Sequence, residues 1–544
     1  MTFQQYPSKL GIPSGNTAAR PTNPVIGDAY YNGELGLLEI FDGVNFVPCS
    51  SPAAIPSVVA TDVGTARAYG SGQINLSFTA GTNGGSPYGY TGTAVIGATT
   101  YTTGAVTSNP NTLVVGDAGS YSISATAYNG FGTSPASPAA NIAVTTVPQT
   151  PTIGTATASP TNDGEVTVTW TNGNNGGKNL SAITITPYLN GTTAATARTA
   201  ATTSSTSYTF TNGQLVNGSS YTFKVKATNA NGNSLESSAS NSEISPQYVT
   251  VDYLVLAGGG AGGQYLGGGG GAGGLRSTVT GTGGSGSLES ALIRLLGTNY
   301  TVTVGAGGAQ KTAGTNGLGN DGSNSVFSTI TSTGGGGGGT YSDGETGRDG
   351  GSGGGAGCAE NTAKNGGSAS PSGQGFRGGN GPSRSGVNAY PGSAGGGGAS
   401  AQGVDQTSNG SVTASNGGNG RAISITGSSV TYGGGGGGGA YDDAGGIKGS
   451  GGSGGGGNGG QRHADGPNKG IAGTANLGAG GGGGAGGSTF HGGSGGSGVV
   501  ILRWLTSAAS SITVGAGLTA DSTGTDGSYS YKRFTAGSGN VSFS

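Results

Sequence analysis

The chain has 544 residues, of which 32% are apolar and only 8% charged, with 126 glycines, two cysteines and a formal net charge of −2. That near-neutral balance, with Lys and Arg scattered, excludes an electrostatic case for nucleic acid or an anionic membrane as partner, and no window reaches the roughly 20 apolar residues of a membrane helix. Cys49 and Cys358 stand far apart without a CxxC pair or a nearby His, so they build no disulfide framework and read as free thiols.

The amino terminus, MTFQQYPSKLG, carries no charged-then-apolar secretion signal. Asp28 to Asn32, Leu37 to Asp42 and Asn45 to Pro48 read as short strands joined at NGELG and DGVN, the Asn-Gly and Asp-Gly chemistry of tight hairpins. Such a meander has little core of its own and is expected to dock onto a partner or onto its own copies. The segment Arg20 to Val47, with its pattern RPxxPxxGDxYYN followed by LExFDG, resembles a short module near the termini of bacteriophage tail-fibre and related virion proteins. The resemblance implies that residues 1–51 attach the chain to other virion proteins.

Two internal repeats follow. Tyr121 to Asn129 (YSISATAYN) and Tyr221 to Asn229 (YTFKVKATN) match at an offset that also aligns Gly132 with Gly232 and Ser134 with Ser234. Upstream, GQINLSF ending at Phe78 matches GEVTVTW ending at Trp170 at a shorter offset, which requires an inserted loop in the second copy. Prolines in SSPAAIPS, TTVPQTP and EISPQ mark joints that bound the copies at 52–147 and 148–247. Alternating strands, the early aromatic (Phe78 or Trp170) and the later Tyr121 or Tyr221 resemble the fibronectin type III fold. Asp117, Asp163, Glu165 and Glu236 read as isolated, solvated acids, and Tyr88 and Tyr90 as packing or turn residues before sugar-binding ones. Spacing and stiffening is the expected role of both copies.

Helical spacing occurs in one segment, Leu288 to Leu296, which ends at Gly297. Elsewhere β-branched alternation between Gly, Asn and Asp turns predicts an all-β chain.

Between Val251 and Val500 lie 91 of the 126 glycines, in runs such as Gly334 to Gly339 and Gly433 to Gly439. Glycine brings no apolar side chain and loses the most backbone entropy on ordering, so this block is either disordered or held by its backbone. Parallel or antiparallel left-handed helices of three residues per turn solve the problem, since bare backbones approach closely enough to hydrogen-bond between runs. The apolar ends VDYLVLA and GVVILRW are expected to pair and seal the block, leaving its loops at the tips. DYLVLAGGGAGG, YTVTVGAGG at Tyr300 to Gly308 and the closing GGSGGSGVVILRW resemble the glycine-rich domain of phage tail-fibre and structural proteins, especially those of marine cyanophages. The same design resembles the polyglycine-sandwich tip adhesins of some T-even-like phages. The glycine-rich domain is bounded at 248–505, and residues 506–544 read as a small β unit whose FTAGSGNVSF ending recurs in the same phage-type proteins.

The fold expectation is thus all-β: a short β-meander, two fibronectin type III-like sandwiches, a polyglycine domain and a carboxy-terminal β unit. The resemblances imply a virion protein and not an enzyme, a tail-fibre adhesin acting as a homotrimer, with a host surface receptor of glycan type. A capsid decoration or head-fibre protein is the alternative. Candidate receptor-binding residues are the aromatic and charged ones between runs: Tyr341, Asp343, Phe376, Arg377, Arg384, Tyr390, Tyr441, Asp442, Asp443, Arg462, His463 and Lys469. No cofactor, metal, nucleic acid or membrane insertion is expected. GNDGSNSVF at Gly319 to Phe327 and the Asp442–Asp443 pair lack the regular acid-bearing repeat of a calcium solenoid, and His463 and His491 have no carboxylate at a useful spacing.

Overall fold

The computed structural model describes residues 11–82, 84–109, 111–311, 317–341, 346–359, 362–383, 390–407, 412–441, 445–462, 469–487 and 490–544. Contacts divide the chain into two compact units, Met1–Pro246 and Gln247–Ser544. Among the described residues every regular element is a strand except one 3-10 turn, Thr17–Ala19, so the fold is all-β.

The first unit opens with a four-stranded sheet of Ser14–Gly15, Ala29–Asn32, Leu37–Phe41 and Phe46–Pro48. Its polar motif residues act as internal fasteners. The Asp42 carboxylate accepts the amides of Val44 and Asn45 at 2.8 Å each, closing the DGVN turn. Glu39 is fully buried, and Arg20 reaches it with two donors at 2.5 and 2.8 Å while Asn32 adds a third at 3.3 Å.

Two β-sandwiches of the fibronectin type III kind follow. In the first, Val58–Asp62, Gln73–Phe78 and Asn111–Val114 face a sheet centred on Gly89–Ile96 and Gly119–Asn129. In the second, Thr152–Ala158, Val166–Thr171 and Ser207–Phe210 face one centred on Leu180–Leu189 and Ser220–Asn229. Phe78 and Trp170 are buried in the respective cores. The Tyr121 hydroxyl donates to the Asp117 carbonyl at 2.9 Å, and the Tyr221 hydroxyl accepts the Val216 amide at 3.1 Å, so each copy has a tyrosine corner. Repeat-related asparagines tie down the chain entering each copy: Asn129 donates to the Ser50 carbonyl and Asn229 to that of Thr146, both at 2.9 Å.

In the second unit the segment expected to be helical forms no helix. Leu292–Leu295 is a strand paired antiparallel with Tyr248–Val251. A sheet edge offering hydrogen-bond partners outweighs a weak helical pattern that ends in glycine.

Tyr248–Leu256 pairs antiparallel with Val499–Leu505, with Val251 opposite Trp504 and Leu256 opposite Val499, as expected of the two apolar ends. Side chains alternate into two cores. One holds Val251, Tyr253, Leu502 and Trp504 with Phe327, Phe534 and Phe543; the other holds Leu254, Leu256, Val499 and Ile501 with Leu275 and Tyr432. Burial on both faces is why these segments read as continuous apolar runs. The 15-residue strand Tyr529–Phe543 pairs with Val499–Leu505 and with Tyr300–Thr303, so the carboxy-terminal segment completes the sheet of the glycine-rich unit.

The glycine runs form a backbone-bonded bundle. Gly258 and Ala261 donate to Ser323 and Asn320, Gly259 and Gly262 to Gly496 and Gly493, Gly260 and Gly263 to Gly271 and Gly268, at 2.8–3.1 Å. The same neighbour recurs every third residue, as an extended three-fold helix requires. Carbonyls of this run accept from three further segments, through Gly335 and Gly338, Gly481 and Gly484, and Gly308. One run therefore has six neighbours. Each bond contributes about 1 kcal/mol net, and bonding at nearly every residue offsets the ordering entropy of glycine.

Space, not backbone conformation, demands glycine here. Within 434–439 no residue has a positive φ. A Cβ at Gly270 would overlap the Gly260 carbonyl oxygen, and one at Gly436 that of Gly481.

Candidate functional site

The runs 258–263 and 267–274 are joined by Gln264, Tyr265 and Leu266, where Tyr265 and Leu266 adopt positive φ of 39° and 46°. Such values cost L-residues of the order of 1 kcal/mol each and persist only where the surroundings hold them. The surroundings do so through carbonyls. That of Gln264 accepts the Thr340 hydroxyl at 2.8 Å, and that of Leu266 accepts the Ser393 hydroxyl at 2.5 Å and the Cys358 amide at 3.3 Å. Leu266 is buried beneath the turn, which leaves Tyr265 half-buried at the bundle end.

From Tyr265 an aromatic row crosses this end. The Tyr265 and Tyr341 rings meet edge to face at 4.9 Å, Tyr341 and Tyr390 lie 6.2 Å apart, and Tyr390 stacks on Tyr441 at 4.3 Å. Arg462 closes the row, with its guanidinium 5.1 Å from the Tyr441 ring centre and Nη1 donating to the Tyr441 hydroxyl at 2.8 Å. All four tyrosines are half-buried and Arg462 is exposed. Tyr441 lies so close over Gly486 that a Cβ there would enter its ring. The product is a ledge of π-faces edged by a cation on a rigid backbone scaffold, suited to stacking and hydrogen-bonding.

Four sequence candidates therefore come together: Tyr341, Tyr390, Tyr441 and Arg462. Exposed Lys469 lies off the row but at the same end, since the amide of the next residue, Gly470, bonds the His491 carbonyl at 2.9 Å and Phe490 carries the acceptor for the Tyr265 amide at 3.4 Å. Phe376 and Arg377 are not brought to the row. They lie two and three residues beyond Gln374, whose carbonyl accepts the Leu275 amide at the far end of the run 267–274. Arg377 is committed to Asp405 by bonds of 2.8 and 3.1 Å, which hold the Asp405 carboxyl below the usual range against the opposing effect of burial. Asp343, Arg384, Asp442, Asp443 and His463 lie outside the described residues. Tyr265 was not among the candidates; its signal is the QYL interruption between two glycine runs, where a bulky residue has only a tip to occupy.

Among the described residues no cluster of three or more His, Cys, Asp or Glu side chains suits a metal ion. Asp321, in the segment weighed for calcium, is paired with Arg348 at 3.1 Å and accepts the Gly337 amide at 2.9 Å.

A family model described as a glycine-rich domain matches residues 234–505. No curated protein matches. Among solved structures, a crystal structure of titin domains aligns at 24% identity over 36% of this chain and 60% of the titin chain, with a TM-score of 0.19. The chicken CNTN1 FN1-FN3 domains align at 17% identity over 38% of this chain and 76% of that one, with a TM-score of 0.21. The chain spans about 60% of the length of the titin fragment it matches.

Proposed function

The chain belongs to the glycine-rich domain family, and from that premise we propose that it is a virion structural protein of a phage, a tail-fibre adhesin that grips the host surface with the tyrosine-lined end of its glycine bundle. The observation that supports this reading most is the row from Tyr265 through Tyr341, Tyr390 and Tyr441 to Arg462. Aromatic faces beside hydrogen-bonding edges suit the alternating apolar and hydroxyl surfaces of a cell-surface glycan. A scaffold with few side chains to rearrange keeps them in place without an ordering cost on binding. In this reading the meander of residues 14–48 docks the chain on other virion proteins, the sandwiches set the reach, and the working form is a homotrimer.

Immunogold electron microscopy of purified particles, with antibody raised against residues 247–544, tests the assignment. Gold at fibre ends is the expected result. Label over the capsid moves the protein to the decoration or head-fibre class, and particles without label overturn the virion reading.

A further inference from the structure

At the other end of the run 267–274 from the tyrosine row, a groove of about 710 Å³ opens beside Arg276. Leu275 follows Leu266 by nine residues, so about 28 Å at roughly 3.1 Å per residue separate the two sites along the run. The groove shares no residue with the aromatic row, and its floor is the outer side of the core that holds Tyr253 and Ile330.

Its polar wall is fixed in advance. Arg276 and Glu289 form a two-bond fork at 2.8 Å each, and the Tyr253 hydroxyl donates to the same carboxylate at 2.6 Å. The Gln374 amide is held from both sides, accepting the Thr333 amide at 2.8 Å and donating to the Thr331 carbonyl at 3.4 Å. Around these stand the exposed Ser287, Ser290 and Ser372, over an apolar floor that includes Leu292 and Ile330.

This lining is selective. Arg276 and Glu289 are the only charged side chains among the described lining residues and they neutralise each other, so the groove offers no net field to a phosphate or a metal ion. An added peptide strand would need a free sheet edge. The adjoining edge strand, Ile330–Ser332, already has its Thr331 carbonyl taken by Arg276 at 3.3 Å and by Gln374. What remains is a set of hydroxyls that both donate and accept, a planar polar fork and an apolar floor.

We propose that this groove is a second binding site that takes a neutral, hydroxyl-rich ligand, a saccharide chain, at the base of the glycine bundle. Its volume falls within the roughly 300–1,000 Å³ of small-molecule sites. The site does not depend on the tip being the adhesive surface.

The test uses the full chain and a panel of neutral oligosaccharides: maltohexaose, cellohexaose, xylohexaose and chitohexaose. Titration calorimetry would be run on the wild type, on Ser290→Trp and Ser372→Trp, which fill the groove from exposed positions, and on Tyr441→Ala at the tip. At least one sugar is expected to bind with a Kd of about 1 mM or tighter, with each tryptophan weakening it about tenfold. No binding by any member up to about 10 mM overturns the proposal, as does binding that survives both tryptophans. Loss in Tyr441→Ala alone assigns the sugar to the tip and likewise overturns the groove, while leaving the adhesin reading standing.

Discussion

Tyr390 stacks on Tyr441 with ring centroids 4.3 Å apart and planes 29° from parallel, although 51 positions separate the two in the chain. Each ring follows or precedes a glycine run, and the bundle places those run ends side by side. Such a pair contributes about 1 kcal/mol beyond its buried area, a small share of a domain's stability but a large share of a binding surface. Tyr441→Ala is therefore expected to lower the melting temperature by only about 2–4 °C, while binding of the labelled full chain to host cells falls at least about tenfold. Flow cytometry and thermal melts on one preparation separate the two effects. Unchanged cell binding would overturn the adhesive role proposed for the row.

Gly270 tests whether bare backbone is the core. A methyl there meets the Gly260 carbonyl, a rigid neighbour, whereas at Gly281 the nearest atom is 3.5 Å away in the flexible Arg421 side chain. Gly270→Ala should destabilise the second unit by about 3 kcal/mol or more, as overpacking against an unyielding wall does, while Gly281→Ala should stay within about 0.5 kcal/mol. Chemical denaturation followed by the fluorescence of Trp504, in a chain carrying Trp170→Phe to silence the first unit, reports this unit, and equal midpoints for the two variants would refute the packed-backbone account.

The parts legible in sequence were those written in side chains. VDYLVLA and GVVILRW announced a buried pair, and Tyr121 and Tyr221 announced the corners, because apolar pattern and repeat spacing survive in one dimension. The order of the runs did not, since one glycine run carries no mark of which six others will surround it. Hydroxyl contacts were equally silent: Ser134 and Ser234 each donate to the next residue's carbonyl while accepting the amides of Ala127 and Ala227, at 2.9 and 3.0 Å, a role that composition does not distinguish from loop serine. Arg377 reads as a candidate receptor contact in sequence because its partner, Asp405, is 28 residues away.

The Arg377–Asp405 pair gives the second unit a pH-dependent increment. The Asp405 carboxyl titrates below its ordinary range chiefly through its hydrogen bonds from Arg377, with the Asn380 amide at 2.8 Å adding to the effect. A lowered folded value means that the contribution is complete above the unfolded value of about 3.9 and is lost as the pH falls through the folded one. Asp405→Asn should therefore lower the melting temperature by a constant amount between about pH 5 and 7, with the gap closing below about pH 4. With both side chains about one-third exposed, salt should shrink it too. A gap that persists at low pH would mean that the asparagine acts through packing instead.

Arg20 and Glu39 carry the same logic to a drier site. The Glu39 side chain has no exposure, and its partners are the Arg20 guanidinium fork and the Asn32 amide. Arg20→Ala leaves a buried carboxylate without its counter-charge, a loss of roughly 3–5 kcal/mol where such pairs are broken, and a four-stranded meander has little core to absorb it. The meander is expected to open in Arg20→Ala, making the chain between residues 14 and 48 cleavable by protease under conditions where the wild-type protein resists. Arg20→Met with Glu39→Leu, which replaces the pair by apolar groups of similar size, should restore resistance, because it removes the buried charge along with its partner. Equal cleavage of the single and double variants would show that Arg20 acts through a specific contact of its guanidinium and not by neutralising Glu39.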